Sequence, residues 1–461
     1  MWFRKPAAGK HPDVAAGRLS AAEIERNFSD LHPPLTRSEA LMAADRCYFC
    51  WAAPCTTACP TDIDIPRFIQ SIRSGDIEGA ARTILSENIL GGMCARVCPT
   101  EVLCEQACVR NVHEDKPVDI GLLQRYATDP ILGSGTQLVE RAEPSGKRVA
   151  VVGGGPAGLS CAHRLACLGH GVTVFSRDDK LGGLNEYGIA AYKTVDEFAQ
   201  REVGYILAIG GIEVRTGVAL GRDLTLEQLR RDFDAVFLAV GLAGTHRLDL
   251  AGEDLPGVVD AVRYIAQLRQ AGDKARLPVG RRIIVIGGGM TAIDIAVQSK
   301  RLGAEDVTIV YRRGREQMGA SSREQDLAQR NGVRIRHWAR PTRILGDAHV
   351  AGVEFEYTRA AAGGKIEGTG ESFSLDADIV FKATGQTLAW GELGDAGAML
   401  RVEGGRVVVD AHRRTSLDDV WAGGDCVQGG QDLTVTAVQD GKVAAHAIDG
   451  TLRSNRREDH E

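Results

Sequence analysis

The sequence lacks the features of a membrane-spanning or secreted protein. It contains no run of about 18 uncharged apolar residues, so no transmembrane helix is predicted. Its first residues, MWFRKPAAGKHPDV, do not include the apolar segment of a secretory signal. We therefore expect a cytoplasmic protein, and in that compartment a dense group of cysteines binds metal more often than it forms disulfides.

An excess of positive charge is also absent. The chain has 55 Lys and Arg against 61 Asp and Glu, a formal net charge of −6 and a pI near 6.0. This balance does not indicate nucleic acid or an anionic membrane as a partner. With 461 residues, of which 44% are hydrophobic, the composition is that of a globular protein with roughly two to four domains.

Cysteine, in contrast, is concentrated near the N-terminus, where eight of the eleven cysteines fall within residues 1–145. These cysteines form two short runs. In each run a proline directly follows one of the cysteines, which is typical of ferredoxins. The four residues between the second and third cysteines of the first run, however, depart from the simple bacterial ferredoxin pattern. Two iron–sulfur clusters are predicted, and a structural zinc is disfavoured because it prefers paired C-x2-C knuckles. The two runs are Cys47-x2-Cys50-x4-Cys55-x3-Cys59-Pro60 and Cys94-x3-Cys98-Pro99-x4-Cys104-x3-Cys108.

Two segments have the pattern of a strand, a glycine turn and a helix. In RVAVVGGGPAG the glycines Gly153, Gly155 and Gly158 allow a pyrophosphate to approach the N-terminus of the helix. The second copy, IIVIGGGMTA, reads Gly287-x-Gly289-x-x-Ala292, and alanine is allowed at its third position. We therefore predict two dinucleotide sites.

The residues beyond each turn bear on which nucleotide binds there. Arg312 and Arg313 follow the second strand of the second copy, where they are able to accept a 2′-phosphate, although a solvated arginine pair is the alternative. In the first copy Ser176 takes the place of the expected ribose-binding acid, and Asp178 or Asp179 is a possible substitute.

The order of these motifs predicts an α/β protein with a mostly α-helical N-terminal iron–sulfur domain and two Rossmann-like domains. In PRFIQSIRSGDIEGAARTILSENIL apolar residues recur at helical spacing, with a break near Gly75. Cys161, Cys167 and Cys426 are expected to be simple buried residues. A nicotinamide gives two electrons as a hydride, clusters pass electrons singly, and a flavin exchanges electrons in both ways, so one dinucleotide site is assigned to FAD and the other to NAD(P)H. The predicted segments are 1–145 with the clusters, 146–242 as the first part of the FAD domain, 243–384 as the NAD(P)H domain and 385–461 as the second part of the FAD domain.

These motifs together resemble a known family, the flavin and iron–sulfur half of dihydropyrimidine dehydrogenase, which bacteria have as a separate PreT-type subunit. The stretches that carry the resemblance are CYFCWAAPCTTACPTDIDIPRFI, CARVCPTEVLCEQAC, PVDIGLLQRYATD, LGGLNEYGIAAYK and WAGGDCVQGGQDLTVTAVQDGK.

The resemblance implies two [4Fe-4S] clusters. It assigns one to Cys47, Cys50, Cys55 and Cys108, and the other to Cys59, Cys98, Cys104 and Gln124. By spacing alone, Cys94 is an equally good fourth ligand of the second cluster.

The resemblance also implies where FAD and the nicotinamide cofactor bind. Gly319 departs from the family pattern, because the NADPH-using enzymes have another arginine there, so NADH and NADPH both remain open. The residues implied for FAD are Gly153, Gly154, Gly155, Pro156, Ala157, Gly158, Gly183, Leu184, Lys193, Gly424, Asp425 and Thr434. Those implied for NAD(P)H are Gly287, Gly288, Gly289, Met290, Thr291, Arg312, Arg313, Ala383, Thr384 and Gly385.

The activity implied is electron input to a dihydropyrimidine dehydrogenase. Since no pyrimidine-binding FMN domain follows the second flavin motif, we expect a PreA-like FMN/iron–sulfur partner that reduces uracil or thymine, in a heterotetramer. No acid–base residue of this chain is then expected to touch the pyrimidine.

Three alternatives remain at this stage. The small subunit of bacterial glutamate synthase is similar in its cysteine spacing and paired dinucleotide motifs. A non-catalytic scaffold folded by metal is a second alternative. A thioredoxin-reductase-like disulfide enzyme is the third, and it is disfavoured because no redox-active cysteine pair is visible beside the flavin motifs.

Overall fold

The computed structural model describes residues 13–458. In chain order its α-helices are α1 (Ala21–Asn27), α2 (Arg37–Asp45), α3 (Pro54–Thr57), α4 (Ile65–Arg73), α5 (Ile77–Glu87), α6 (Gly91–Val97), α7 (Arg110–Glu114), α8 (Ile120–Ser134), α9 (Pro156–Cys167), α10 (Leu184–Tyr187), α11 (Phe198–Leu207), α12 (Leu226–Asp232), α13 (Ala261–Gln270), α14 (Met290–Arg301), α15 (Ser322–Arg330), α16 (Ala396–Met399) and α17 (Thr434–Glu458).

The strands of the same residues are mostly short. In chain order they are β1 (Val14–Ala15), β2 (Arg148–Val152), β3 (Gly171–Ser176), β4 (Ile212–Thr216), β5 (Ala235–Leu238), β6 (Gly244–Thr245), β7 (Val258–Asp260), β8 (Val279–Gly280), β9 (Arg282–Gly287), β10 (Asp306–Tyr311), β11 (Arg334–His337), β12 (Ala339–Gly346), β13 (Val350–Ala360), β14 (Ile366–Asp376), β15 (Ile379–Ala383), β16 (Gln386–Thr387), β17 (Val402–Glu403), β18 (Arg406–Val407) and β19 (Val420–Ala422).

The chain divides into two compact units. Unit 1 comprises residues 13–31 of the described chain, Tyr187–Val195 and Thr245–Gln386, and unit 2 comprises His32–Glu186, Asp196–Gly244 and the residues from Thr387 onward. The four segments predicted from the sequence remain a prediction. The units differ from them by grouping the N-terminal residues with the second dinucleotide motif, because β1 pairs antiparallel with β8.

Unit 2 contains a five-stranded parallel sheet in the order β19-β5-β2-β3-β4. Four consecutive residues of β2 are buried, as expected for a parallel strand covered on both faces. Helices α9 and α17 pack against each other, and their apolar residues join the same core as Phe237 and Trp421. This sheet positions the first glycine turn.

The helical part of unit 2 follows the pattern expected from the sequence. The predicted helical stretch is present as α4 and α5, and the break lies at Gly75, whose φ is +83°. Side chains of Asp64 and Asp76 accept hydrogen bonds from the first turns of these two helices, which stabilises their N-termini.

Unit 1 contains the second parallel sheet, in the order β11-β10-β9-β15-β7, and a separate antiparallel sheet of β12, β13 and β14. Helix α14 begins directly beyond the glycine turn that follows β9. The predicted α/β class is confirmed by these two parallel sheets. Within residues 13–458, no helix has the length and apolar character needed to cross a membrane.

Candidate functional site

Four of the predicted ligand cysteines line one cavity of unit 2. Cys47, Cys50, Cys55 and Cys108 surround this space. Three of them come from the first cysteine run, and Cys108 closes the second run. The remaining lining is mainly apolar and includes Ile69 of α4. The structure therefore brings together the same four thiols that the resemblance implies for one cluster.

Local backbone geometry shapes the loop that carries the first three of these cysteines. Phe49 and Ala53 have positive φ values of 52° and 31°, which are rare for residues with a side chain. Pro54 begins α3 immediately afterwards, and the Phe49 amide donates to the Cys47 sulfur at 3.4 Å. Such strain persists only where surrounding structure enforces it, often at ligand sites.

Burial changes the acidity of the thiols in this cavity. It raises the pKa of Cys47, and it raises the pKa of Cys55 to about 11. Metals bind the thiolate form of cysteine, so loading of this cavity with a metal would release protons and would become more favourable as the pH rises.

A second group of cysteines surrounds the end of α6. A hydrogen bond with Cys94, followed by burial, raises the pKa of Cys98 well above its usual range, and Cys104 and Cys59 raise it further. Burial likewise raises the pKa of Cys104, and Cys59 adds to that effect. These mutual interactions bring together the three cysteines predicted for the second cluster, with Cys94 beside them.

Gln124 lies in the middle of α8 and is buried. Its side-chain nitrogen donates to the Gly91 carbonyl oxygen at 2.6 Å. Because an amide is planar and its nitrogen faces Gly91, its oxygen points in another direction. This orientation directs the Gln124 oxygen away from the Gly91 carbonyl, while Cys94 lies beside Cys98.

Among the residues whose side chains the structure describes, no three Cys, His, Asp or Glu side chains are close enough to share one metal ion. The preference for iron–sulfur clusters over zinc therefore remains a prediction from the cysteine spacing.

The first glycine turn of unit 2 approaches its neighbours closely. A Cβ at Gly153 would lie 2.1 Å from the Ala239 oxygen, and one at Gly158 would lie 1.9 Å from the Gly153 oxygen. At Gly155, in contrast, the nearest atom is the Cα of Gly183 at 3.8 Å. The turn is therefore tight against the protein and open beside Gly155, at the N-terminus of α9, as a bound pyrophosphate requires.

The turn after β19 contains Gly424 and Asp425. The Gly424 amide donates to Asp440 at 2.8 Å, and Arg413 pairs with the same carboxylate at 2.7 Å. Burial raises the pKa of Asp425 to about 7, and Asp432 contributes to this rise. The role of Asp440 in holding this turn was not predicted from the sequence. The only sign of it there is that the stretch TVTAVQDGK contains an acidic residue.

Other residues predicted for the flavin lie around these two turns. Leu184 begins α10 after Gly183, and the Thr434 hydroxyl is 2.7 Å from the Asn185 side-chain oxygen. Ser176 is buried at the end of β3, and its hydroxyl accepts from the Asp178 amide at 3.3 Å. This contact is made by the Asp178 backbone, so Asp178 and Asp179 both remain candidate substitutes for the missing acid.

The glycine turn of unit 1 repeats the arrangement. A Cβ at Gly287 would lie 2.2 Å from the Ala383 oxygen, and one at Gly288 would lie 2.4 Å from the Tyr311 ring. Gly289 has no other atom within 4 Å of such a Cβ. This turn also presents open space at a helix N-terminus, where Met290 and Thr291 begin α14.

Arg312 and Arg313 directly follow β10. Their backbone oxygens accept from the Thr358 hydroxyl and the Trp338 amide at 2.9 Å and 3.1 Å. Within the part of the chain whose side chains are described, neither guanidinium forms an ion pair. Both are therefore available to a phosphate group.

The last predicted nucleotide residues follow β15. Ala383 ends this strand, the Thr384 hydroxyl donates to the His246 oxygen at 3.3 Å, and Gly385 has a φ of +98°. They lie in unit 1 with Gly287, whose neighbour across the sheet is Ala383.

Lys193 lies in unit 1 and is buried between two carboxylates. Its ammonium group is 2.8 Å from both Asp294 and Glu324. Burial alone lowers the pKa of Lys193, but the two carboxylates outweigh burial and raise it. The predicted contact of Lys193 with FAD remains a prediction.

Comparison with known proteins places these turns in a family. A family model described as Pyridine nucleotide-disulphide oxidoreductase matches residues 147–441. The chain belongs to this family. A second model, described as Dihydropyrimidine dehydrogenase domain II, 4Fe-4S cluster, matches residues 24–135, which include both cysteine groups.

Two relatives with different names have the same sequence identity to the chain. The NAD-dependent dihydropyrimidine dehydrogenase subunit PreT of Salmonella typhimurium is 34% identical, over 92% of this chain and 97% of PreT. The Glutamate synthase [NADPH] small chain of Escherichia coli is also 34% identical, over 93% of this chain and 94% of that protein. Among solved structures, Mycobacterium tuberculosis FprA in complex with NADPH shares the fold, with a TM-score of 0.58 and 19% identity over 68% of this chain and 86% of FprA.

The family and the cysteine domain together define the type of enzyme. The chain is an NAD(P)H-dependent FAD and iron–sulfur oxidoreductase. The predicted resemblance to PreT and to the glutamate synthase small chain is confirmed.

Proposed function

We propose that the chain is the electron-input subunit of a dihydropyrimidine dehydrogenase. The observation that carries this proposal is the cavity of Cys47, Cys50, Cys55 and Cys108, in a chain that also has two dinucleotide turns. A nicotinamide gives two electrons as a hydride, whereas iron–sulfur clusters pass electrons one at a time. FAD is able to accept a hydride and to release single electrons. The chain thus converts hydride input into single-electron output.

We propose two [4Fe-4S] clusters in unit 2. The first is bound by the four cysteines of the cavity. For the second, the interactions around Cys98 support a set with Cys59 and Cys104. The Gln124 amide, oriented by Gly91, supports Gln124 rather than Cys94 as its fourth ligand.

The residues around each glycine turn are proposed to hold the two dinucleotides. The open positions at Gly155 and Gly289 support a pyrophosphate at each turn. Asp440 keeps the turn after β19 in place through the Gly424 amide. The proposed FAD residues are Gly153–Gly158, Gly183, Leu184, Lys193, Gly424, Asp425 and Thr434, and the proposed NAD(P)H residues are Gly287–Thr291, Arg312, Arg313 and Ala383–Gly385.

The proposed partner is a PreA-like FMN/iron–sulfur subunit that reduces uracil or thymine. The support is the similarity to PreT, whose name describes a subunit of dihydropyrimidine dehydrogenase. The heterotetramer with this partner and the cytoplasmic location remain predictions.

Glutamate synthase is the second candidate assembly. The small chain of that enzyme is as similar to this chain as PreT is. In that case the electrons would go to a subunit that acts on 2-oxoglutarate and glutamine.

The deciding experiment is anaerobic stopped-flow absorbance of the iron-reconstituted chain mixed with NADH or NADPH. The measurement is repeated with the FMN partner and uracil, and with a glutamate synthase large subunit, 2-oxoglutarate and glutamine. Flavin bleaching with uracil consumption only when the FMN partner is present supports the proposal. Turnover with 2-oxoglutarate and glutamine but not with uracil overturns it in favour of the second candidate.

The unpaired arginines allow a prediction about the nucleotide. Replacing both Arg312 and Arg313 by alanine is expected to raise the KM for NADPH by about 10-fold to 100-fold, because hydrogen bonds to charged groups contribute about 1.5–3 kcal/mol. The KM for NADH, which has no 2′-phosphate, is expected to stay unchanged. Equal effects on the KM values of both nucleotides would show that the two arginines do not bind the 2′-phosphate.

Two exposed aromatic side chains flank the first cysteine group, and we propose that they lie on the surface where the FMN partner docks. Trp51 is fully exposed and Tyr48 is 53% exposed, and Tyr48 also lines the cysteine cavity with Cys50. Trp51→Ala is expected to weaken binding of the FMN partner by about 30-fold, as for an aromatic interface residue. Reduction of the chain's own flavin by NAD(P)H is the control and should not change, and an unaltered affinity in titrations would contradict this docking face.

A further inference from the structure

One buried carboxyl group has no place in the proposed chemistry. Glu202 of α11 is 0% exposed, and its Oε1 accepts a hydrogen bond from the Met93 amide at 3.0 Å. The Gly92 amide interacts with the same carboxyl group. In the described part of the chain, its Oε2 has no hydrogen-bond partner. A buried carboxyl group is costly to retain, so a specific role is expected.

The contact with Gly92 is close and leaves no space for another residue. A Cβ at Gly92 would lie 2.9 Å from Glu202 Oε1, 2.6 Å from the Phe198 ring and 2.5 Å from Leu132. The Glu202 carboxyl group therefore lies directly against the first turn of α6, the helix that leads to Cys94 and Cys98.

The same peptide group also contacts Gln124. The carbonyl of Gly91 and the amide of Gly92 belong to one planar peptide unit. The carbonyl accepts from the Gln124 side-chain nitrogen at 2.6 Å, and the amide faces Glu202. Gln124 and Glu202 thus contact the two ends of one peptide unit, so that each polarises the group that the other contacts.

We propose that Glu202 is a positioning residue for Gln124, which it orients as a cluster ligand through the Gly91–Gly92 peptide. By holding the Gly92 amide, Glu202 keeps the Gly91 carbonyl directed at the Gln124 nitrogen, so that the Gln124 oxygen faces the second cluster. The inference rests on the proposed role of Gln124 as a ligand. Partners of metal ligands act in this way in other sites, where their loss lowers metal affinity by about 10-fold to 100-fold.

The test uses the full chain reconstituted with isotopically enriched iron and measured by Mössbauer spectroscopy. An iron bound by oxygen gives a spectrum distinct from that of an iron bound by sulfur. Glu202→Leu keeps the approximate size of the side chain but removes the hydrogen-bond acceptor. This variant is expected to alter the Mössbauer signal of the oxygen-bound iron and to speed loss of iron to a chelator about 10-fold. Glu202→Gln, which keeps an acceptor oxygen, is expected to restore both measurements.

The first cluster is the internal control, and its spectrum should be the same in all variants. If Glu202→Leu does not fold, Glu202→Asp, which withdraws the carboxyl group by one methylene, should alter the same iron. Gln124→Ala should remove the oxygen-bound signal in an otherwise wild-type chain. If Gln124→Ala changes the spectrum but Glu202→Leu and Glu202→Asp do not, only this inference is wrong. If Gln124→Ala changes nothing, the ligand assignment fails and the inference fails with it.

Discussion

Replacing Cys108 by alanine is expected to remove the first cluster and to stop electron delivery to the partner. Cys108 is the one cysteine of the cavity that comes from the second run, and it is buried. Cys47, Cys50 and Cys55 are joined by a short loop, but three thiolates leave one iron of a cubane without a protein ligand. We expect the iron content to fall by about half, since one of about two clusters is lost.

The rates of the Cys108→Ala variant should separate electron input from electron output. Reduction of the flavin by NAD(P)H should be unchanged, because the dinucleotide turns do not involve the cavity. Single-electron delivery to the partner should fall by more than roughly 100-fold. Loss of a residue that only hydrogen-bonds to a metal ligand costs up to about 100-fold, and loss of the ligand itself should cost more.

Cys167→Ala is the matched control for this prediction. Cys167 lies at the end of α9, near His163 and outside both cysteine groups, so its loss should leave the iron content and both rates unchanged. Full iron content and normal electron delivery in Cys108→Ala would show that the cavity does not hold a cluster.

Removing the titratable carboxyl group of Glu202 is expected to change how the stability of the protein depends on pH. Burial raises the pKa of Glu202 from its ordinary 4.5 to about 8, although the amides of Met93 and Gly92 and the charge of Arg96 oppose this rise. Asp129 on α8 adds to the rise. Between these two values the unfolded chain has lost the proton and the native chain has kept it.

The sign of the effect follows from this difference. Because the unfolded state binds fewer protons, the free energy of unfolding falls as the pH rises from about 4.5 to about 8 and is constant above that. A tenfold change in acid dissociation corresponds to about 1.4 kcal/mol, so the full loss is about 5 kcal/mol.

Glu202→Gln removes this contribution and keeps the size of the side chain. The difference in free energy of unfolding between Glu202→Gln and the wild type should grow in favour of the variant from pH 5 to pH 8. It can be followed by the fluorescence of buried Trp421 during chemical unfolding. Glu197→Gln, an exposed change at the start of the same helix, is the control, and equal pH dependence of the wild type and Glu202→Gln would disprove the prediction.

The sequence was sufficient for the features that depend on local pattern. The strand, turn and helix at Gly153 and at Gly287 follow from glycine spacing and buried apolar runs. The break of α4 from α5 at Gly75 follows from the same kind of signal. In each case the local backbone structure is determined by residues that are close together in the sequence.

Features that depend on distant residues were not accessible in this way. Asp440 reaches Gly424 from α17, and Glu202 reaches Gly92 from α11. A single acidic residue in a helix resembles a solvated one until its neighbours are known. The pairing of Lys193 with Asp294 and Glu324 was missed for the same reason.

The order of strands in the sheet of unit 2 has a consequence for synthesis on the ribosome. Strands β2 to β5 lie between Arg148 and Leu238, but β19, which pairs with β5, begins only at Val420. Helix α17, which packs on α9 and supplies Asp440, comes later still. The sheet of unit 1, from β7 to β15, is therefore translated completely while β5 still has an exposed edge, and such an edge pairs readily with other chains. Nascent unit 2 is therefore expected to be open to pairing with other chains along this edge until β19 has been translated.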